Sequence, residues 1–247
     1  MKLYGTAAGA SMDMKDDPAL RVALVGLIAA AGIDVAIETG TYLGLGSTRF
    51  VCEAFLAVAP PRRFVTIEVN FANWCRAKAN LRDFGFVDCR WGRSVALDRA
   101  LAFLRDDPML RDHASHDIYI DNVTDPAGAY AREVAGQAAE LEGAALPAGG
   151  GAAADAVRRL LFDGEDVLPR MLAVHADHAP LIVLDSAGGI GFLEFQVMQE
   201  AMAGRRYALL LDDTHHVKHY RSLQHILASS AFRVVAQGAS WVLATHG

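Results

Sequence analysis

The sequence predicts an α/β domain: a mostly parallel β-sheet with helices packed on both faces. Three observations carry this prediction. Short apolar runs alternate with longer stretches of helically spaced apolar residues. Four of the runs end in an acid, at Glu38, Glu68, Asp185 and Asp212. The last two apolar runs are separated only by a short glycine-containing link, which predicts a closing antiparallel hairpin.

The elements follow in order. Asp17 and Pro18 fit an N-cap and first helical position for an apolar helix over Ala19 to Ala31, stopped by Gly32. Asp34-Val-Ala-Ile37 reads as a first strand, followed by the glycine turn E-T-G-T-Y-L-G-L-G over residues 38–46. Residues 47–58 carry Phe50, Val51, Ala54, Phe55 and Val58 at helical spacing, and Pro60-Pro61 ends the run. Phe64 to Glu68 is a second strand, a helix is expected from about Trp74 to Phe84, and Val87 to Trp91 is a third strand. Ser94 can cap a helix running through Leu97, Leu101 and Leu104 to Asp107-Pro108. His116 to Ile120 reads as a short strand, and Asp125-Pro126 opens a helical run to Glu142-Gly143. The glycine- and alanine-rich segment that follows is read as a flexible hinge. Residues 112–163 are therefore an insertion before the fourth strand, either a lid over a substrate or a solvated loop. Pro180 to Asp185, a helix from about Phe192 to Met202, Tyr207 to Asp213, a helix from about Lys218 to Ala228, and the hairpin of Phe232 to Ala236 with Trp241 to Thr245 complete the series. The whole, residues 1–247, is expected to be one domain.

With 53% hydrophobic and 21% charged residues in 247, the chain can bury a full core. A formal net charge of −6 argues against nucleic acid as a partner, because phosphate-backbone binding draws on clustered Lys and Arg. Cys52, Cys75 and Cys89 form no C-x-x-C pair and fit a reducing compartment, with buried small side chains as their expected role. No stretch reaches the ~20 apolar residues of a membrane span, and the first five residues lack the plan of a signal peptide, so a cytoplasmic location without a membrane partner is expected. A homodimer stays open.

The glycine turn raises the question of its ligand. Gly40, Gly44 and Gly46 match a dinucleotide pattern, but none of the six tyrosines is followed four residues later by the Lys that a short-chain dehydrogenase needs. Glu38 would also face a pyrophosphate across a helix N-terminus that favours anions. S-adenosylmethionine removes the conflict: it has no phosphate, and a carboxylate offsets its sulfonium and ammonium directly or through water. Glycines at 40 and 44 would let the backbone approach such a ligand, and Glu68 stands where an acid accepts ribose hydroxyls.

On these motifs, with T-I-E, L-D-S-A-G-G, L-L-L-D-D and the closing hairpin, the chain resembles class I S-adenosylmethionine-dependent methyltransferases over residues 34–94 and 180–246. The resemblance implies a Rossmann-like sheet of seven strands with its last pair antiparallel. It carries cofactor binding to Glu38, Gly40, Gly44 and Glu68, with Thr41, Tyr42, Ser47 and Thr48 as further members. The adenine-side segment falls on Gly92-Arg93-Ser94, with Arg93 where such enzymes often have an acid and Asp163-Gly164-Glu165 as a rival.

Asp185, Asp212 and Asp213 would meet at the carboxyl edge of adjacent strands, where they repel unless a cation or proton intervenes. This set resembles metal-dependent O-methyltransferases and implies a divalent ion such as magnesium, which would gather acceptor hydroxyls and lower the pKa of the attacking one. The alternative has Asp185 beside the methyl group and Asp212 and Asp213 capping the next helix, with no metal. Among T-H-H-V-K-H, His216 is the preferred general base, with Asp185, His215 and Lys218 as rivals, and His215 with His219 has the spacing of a zinc pair if the segment is helical. His175 and His178 are expected to be structural, and G-x-S-x-G is absent. The functional expectation is methyl transfer to a hydroxyl of a small metabolite, a sugar or polyhydroxylated natural product. N-methylation without metal and a catalytically silent cofactor-binding protein are the alternatives.

Overall fold

A computed structural model describes Met14, residues 17–122, 124–141 and 160–247, with the side chains of 138–141 left aside. The glycine-rich hinge lies outside the described residues. The elements are α1 (Pro18–Ala31), β1 (Val35–Thr39), α2 (Ser47–Leu56), β2 (Arg63–Glu68), α3 (Phe71–Asn80), β3 (Val87–Trp91), α4 (Leu97–Asp106), α5 (Pro108–Arg111), α6 (Pro126–Leu141), α7 (Val167–His175), β4 (Leu181–Leu184), α8 (Gly191–Ala201), β5 (Tyr207–Leu211), α9 (Tyr220–Ala228), β6 (Phe232–Gln237) and β7 (Val242–His246).

One seven-stranded sheet has the order β3-β2-β1-β4-β5-β7-β6. β1 to β5 are parallel to their neighbours and β7 runs antiparallel to both β5 and β6, which bears out the expected hairpin. The central strands are buried on both faces, which explains their continuous apolar runs. Ala36, Leu181, Val183 and Leu210 face α1 and α2 through Leu20, Leu24, Phe50 and Phe55. Val35, Ile37, Ile182, Leu209 and Leu211 face α7 and α8 through Leu172, Phe195 and Met198. The two-residue period of the strands assigns each residue to its layer.

Capping chemistry sets several helix starts. Asp17 accepts from the backbone N–H groups of Ala19 and Leu20, and Gly32 closes α1 at φ +62°. Asn70 caps α3, so that helix begins three residues before the expected Trp74. Ser94 does not cap α4; Ala96 holds that position, and the Ser94 hydroxyl is used elsewhere. Residues 116–120 form no strand. Tyr119 makes a single bridge to His216, donating its N–H to His215 O at 2.9 Å and accepting from Val217 N at 3.0 Å. Helix α7 was not anticipated. Cys52 is buried as expected, but Cys75 is exposed. No described helix is long and apolar enough to cross a membrane.

Candidate active site

A cavity of about 1010 Å³ opens at the carboxyl edge of the parallel strands. It lies where β1 and β4 lead to opposite sides of the sheet, the crevice in which open α/β sheets take ligands. Of the residues expected to bind cofactor, Gly40, Thr41, Tyr42, Ser47, Glu68 and Ser94 line it.

Glu38, Gly44 and Thr48 are not on that wall, and each has a physical reason. Glu38 is fully buried beneath the turn, where its Oε2 accepts from Thr48 Oγ1 and Thr66 Oγ1, both at 2.6 Å. Its Oε1 has no partner among the described residues, and burial raises its pKa to about 7. Its carboxylate therefore reaches a ligand only through intervening groups. A Cβ at Gly44 would stand 2.7 Å from a Leu81 methyl, so this glycine at φ +69° serves the packing of the turn on α3. At Gly40 a Cβ would lie 2.2 Å from the Asp185 carbonyl oxygen. Both glycines let backbone pack closely on protein, and Gly40 also lines the cavity.

Glu68 accepts from Tyr42 N and Asn70 N, one on each carboxylate oxygen and both at 2.7 Å. These bonds brace the glycine turn against the end of β2. Burial nevertheless lifts the Glu68 pKa to about 7. Tyr42, half exposed at the mouth, sits at φ +50°, a left-handed conformation that costs a non-glycine residue free energy. The two adenine-side candidates stand differently to the cavity. Gly92, Arg93 and Ser94 line the cavity, whereas Asp163 binds Arg90 and Glu165 binds Arg93 at 2.6 Å from outside it.

The register of β4 and β5 pairs Leu184 with Leu211, so Asp185 and Asp212 emerge side by side. Carboxylate oxygens of Asp185, Asp212 and Asp213 all lie within 4.8 Å of one another, as the sequence predicted. The surprise is what stands among them. Lys218 Nζ lies 3.2 Å from Asp185 Oδ1 and 2.9 Å from Asp213 Oδ2, with the Lys218 residue only 5% exposed. Burial alone would lower the lysine's pKa, but Asp185, Asp213 and Asp212 together hold it above its ordinary value. Asp212 is raised well above the usual carboxylate range by burial and by the charges of Asp185 and Asp213, and its Oδ2 has no partner among the described residues. It is set behind the cavity wall, whereas Asp185 and Asp213 are on it. Burial raises Asp185 as well, against the pull of Lys218.

The donor set does not fit magnesium. Three carboxylates would suffice in number, but the ion demands near-octahedral oxygen contacts at ~2.1 Å, and Lys218 Nζ already bonds two of the three acids. An ammonium cannot donate a lone pair to a metal.

His216, the expected general base, is engaged through both ring nitrogens. Its Nδ1 accepts the Lys218 backbone N–H at 3.2 Å, which assigns the ring proton to Nε2. Nε2 faces Asp121 Oδ2 at 3.2 Å and Tyr130 Oη at 3.4 Å. Neither nitrogen keeps a lone pair for an acceptor. The ring instead orients Asp121, whose pKa is lowered mainly by the His216 hydrogen bond and whose side chain, 47% exposed, faces the cavity. Residues 215–219 are a turn, with α9 starting only at Tyr220, so exposed His215 and fully buried His219 share no helical face and form no zinc pair.

Two features escaped the sequence reading. The first is Glu194 on α8, fully buried, which accepts from Thr39 Oγ1 at 2.9 Å, Ser186 Oγ at 2.7 Å and Ser94 Oγ. It ties the ends of three strands together under the cavity floor. An acid in the otherwise apolar G-F-L-E-F run was the available signal. The second is the contribution of the insertion: Tyr119 and Asp121 line the cavity together with Glu133, Val134 and Gln137 of α6. The described part of the insertion is thus a wall of the cavity.

Among solved structures, the chain is similar to an O-methyltransferase from Bacillus cereus in complex with SAH, at 13% identity and TM-score 0.48, covering 98% of this chain and 86% of that one. It is also similar to the O-methyltransferase TomG from Streptomyces achromogenes, involved in tomaymycin synthesis and in complex with SAM, at 15% identity and TM-score 0.47, covering 95% and 82%. A precorrin-6y C5,15-methyltransferase from Geobacter metallireducens matches at 11% identity and TM-score 0.45, covering 95% and 91%. No protein-family model matches the chain. No curated protein matches it in sequence. The sheet itself, seven-stranded in the order β3-β2-β1-β4-β5-β7-β6 with β7 antiparallel, has the Rossmann-like architecture that the resemblance to class I methyltransferases implied.

Proposed function

We propose that the protein transfers the methyl group of S-adenosylmethionine to a hydroxyl of a small, polyhydroxylated acceptor, with Asp185 as the general base. One observation carries the reading: Asp185 lies on the cavity wall between two chemically distinct halves. On one side stand the glycine turn, Glu68 and Gly92 to Ser94, suited to a nucleoside and an amino acid moiety. On the other stand Asp121, His216 and Asp213 with the residues of α6, suited to a polar acceptor.

In this reading Glu68 uses the lone pairs left by its backbone bonds to accept ribose hydroxyls, and Ser94 borders the adenine. The acceptor oxygen attacks the methyl carbon in line with the carbon–sulfur bond. A carbon–oxygen bond forms as the carbon–sulfur bond breaks, its electron pair staying on sulfur, and the hydroxyl proton passes to Asp185 and then to solvent. The products are the methyl ether and S-adenosylhomocysteine. A carboxyl raised by burial is a better base near neutrality than an exposed one. The rest of the rate comes from alignment and exclusion of water, for which the wall formed by α6 is well placed. No step is assigned to a metal ion. Cofactor and acceptor are bound without nucleic acid or membrane.

The test is calorimetry with S-adenosylmethionine and with NAD, followed by incubation with methyl-labelled cofactor and a panel of hydroxylated and aminated acceptors. Heat with the first ligand and a labelled ether are expected. Heat with NAD alone would end the proposal. Asp185→Asn should lower kcat by ~100-fold or more while leaving cofactor affinity nearly unchanged. An unchanged rate in that variant would indicate an acceptor that needs no base, such as an amine.

A further inference from the structure

We propose that Lys218 is the resident counter-cation of the acid cluster, standing where a divalent ion would otherwise bind and so excluding one. Three independent features hold it there. Its ammonium bonds Asp185 and Asp213 at 3.2 and 2.9 Å. Its backbone N–H is fixed by His216 Nδ1. Its Cβ is packed against Gly191, where an added Cβ would stand 2.9 Å away. Asp213 completes the arrangement from a left-handed backbone at φ +52°, a conformation unfavourable for a residue with a Cβ and retained where the surroundings over-determine it.

The charges explain why such a lysine suffices. Three adjacent carboxylates cannot all stay ionised without a cation. A fixed ammonium offsets Asp185 and Asp213, the two acids on the cavity wall, and leaves Asp212 behind that wall. A lysine therefore offsets the charge of Asp185 and aims its carboxyl group, and it does so as a positioning residue. A divalent ion brought within contact distance of the same acids would meet a like charge with no water between them, a strongly repulsive arrangement in a buried site.

The experiment is an electron paramagnetic resonance titration with manganese(II) at pH 8, which reads ion binding and requires no methyl transfer. Failure here would leave the methyltransferase reading standing, and the reverse also holds. The wild-type protein and Lys218→Arg should leave the free-ion signal undiminished up to concentrations on the order of 1 mM. Lys218→Met should bind one ion more tightly than the wild type by a factor on the order of 100, and adding Asp185→Asn should abolish that gain. Stoichiometric binding by the wild type, lost in Asp185→Asn, would overturn the proposal. So would a folded Lys218→Met, checked by circular dichroism, that binds no better than the wild type. Should that variant not fold, the wild-type titration decides alone.

Discussion

Replacing Glu38 by Gln should stabilise the protein in alkaline solution and leave it unchanged in acid. Glu38 is fully buried, one carboxylate oxygen lacks a partner among the described residues, and its pKa is raised from 4.5 to about 7. The folded state thus prefers the protonated form more than the unfolded state does. The associated stability is fully present below pH ~4.5, declines as pH rises, and is lost once pH passes ~7. Each tenfold difference in proton affinity corresponds to ~1.4 kcal/mol, so ionised Glu38 costs the folded chain about 3 kcal/mol at pH 8. Gln keeps the shape, and its amide oxygen can accept from Thr48 and Thr66. In a chain of this size, about 3 kcal/mol corresponds to a rise in Tm of roughly 6–12 °C. Urea unfolding of both proteins from pH 4 to pH 8.5 is the assay. The two stability curves should meet near pH 4, diverge between about pH 4.5 and pH 7, and keep a constant gap above that. Parallel curves across the range would refute the reasoning, because they would mean that no ionisation at position 38 is linked to folding. Since Glu38 is not on the cavity wall, the variant should keep its cofactor affinity within about tenfold.

Substitutions at two further positions probe the cavity floor. Gly40→Ala would push a Cβ to 2.2 Å from the Asp185 carbonyl oxygen at a φ of +86°; a loss of ~3 kcal/mol or more in urea unfolding is expected, and a loss under 1 kcal/mol would contradict the packing. Glu194→Ala removes the acceptor of three hydroxyls, two of them in buried bonds, and should cost ~2–4 kcal/mol in the same assay, whereas Glu194→Gln should stay within ~1 kcal/mol; equal effects of the two would deny Glu194 its role as acceptor.

The parts of this molecule legible in the sequence are those that local chemistry writes. Strands buried on both faces require unbroken apolar runs, so β1, β2, β4 and β5 announced themselves, and their terminal acids followed. The meeting of Asp185 with Asp212 was equally readable, because one helix and one strand separate them and parallel pairing sets them level. Helix boundaries were weaker. The start of α3 depended on Asn70 as a cap, and the turn at 215–219 looked helical because its His and Lys residues are compatible with a helix. Helix α7 had no comparable signature, and its existence depends on Val167, Leu168 and Leu172 packing into the face of the sheet.

What the sequence could not disclose is which charges meet. His216 and Asp121 lie 95 positions apart, and Glu194 and Ser94 lie 100 apart. Their pairing depends on how the insertion and α8 dock. Reading acids by their spacing identified a cluster that needs a cation, but it could not say that the chain supplies one six residues downstream of Asp212. Lys218 in T-H-H-V-K-H is an ordinary polar residue by pattern. It becomes the charge partner of Asp185 only because residues 212–219 fold as a tight turn, with Asp213 in a left-handed conformation and Val217 bonded to Tyr119. The character of this site is therefore set by a loop conformation that the insertion itself stabilises. It follows that changes at Tyr119 or Asp121, remote in sequence from β5, should disturb the ammonium as surely as changes beside it.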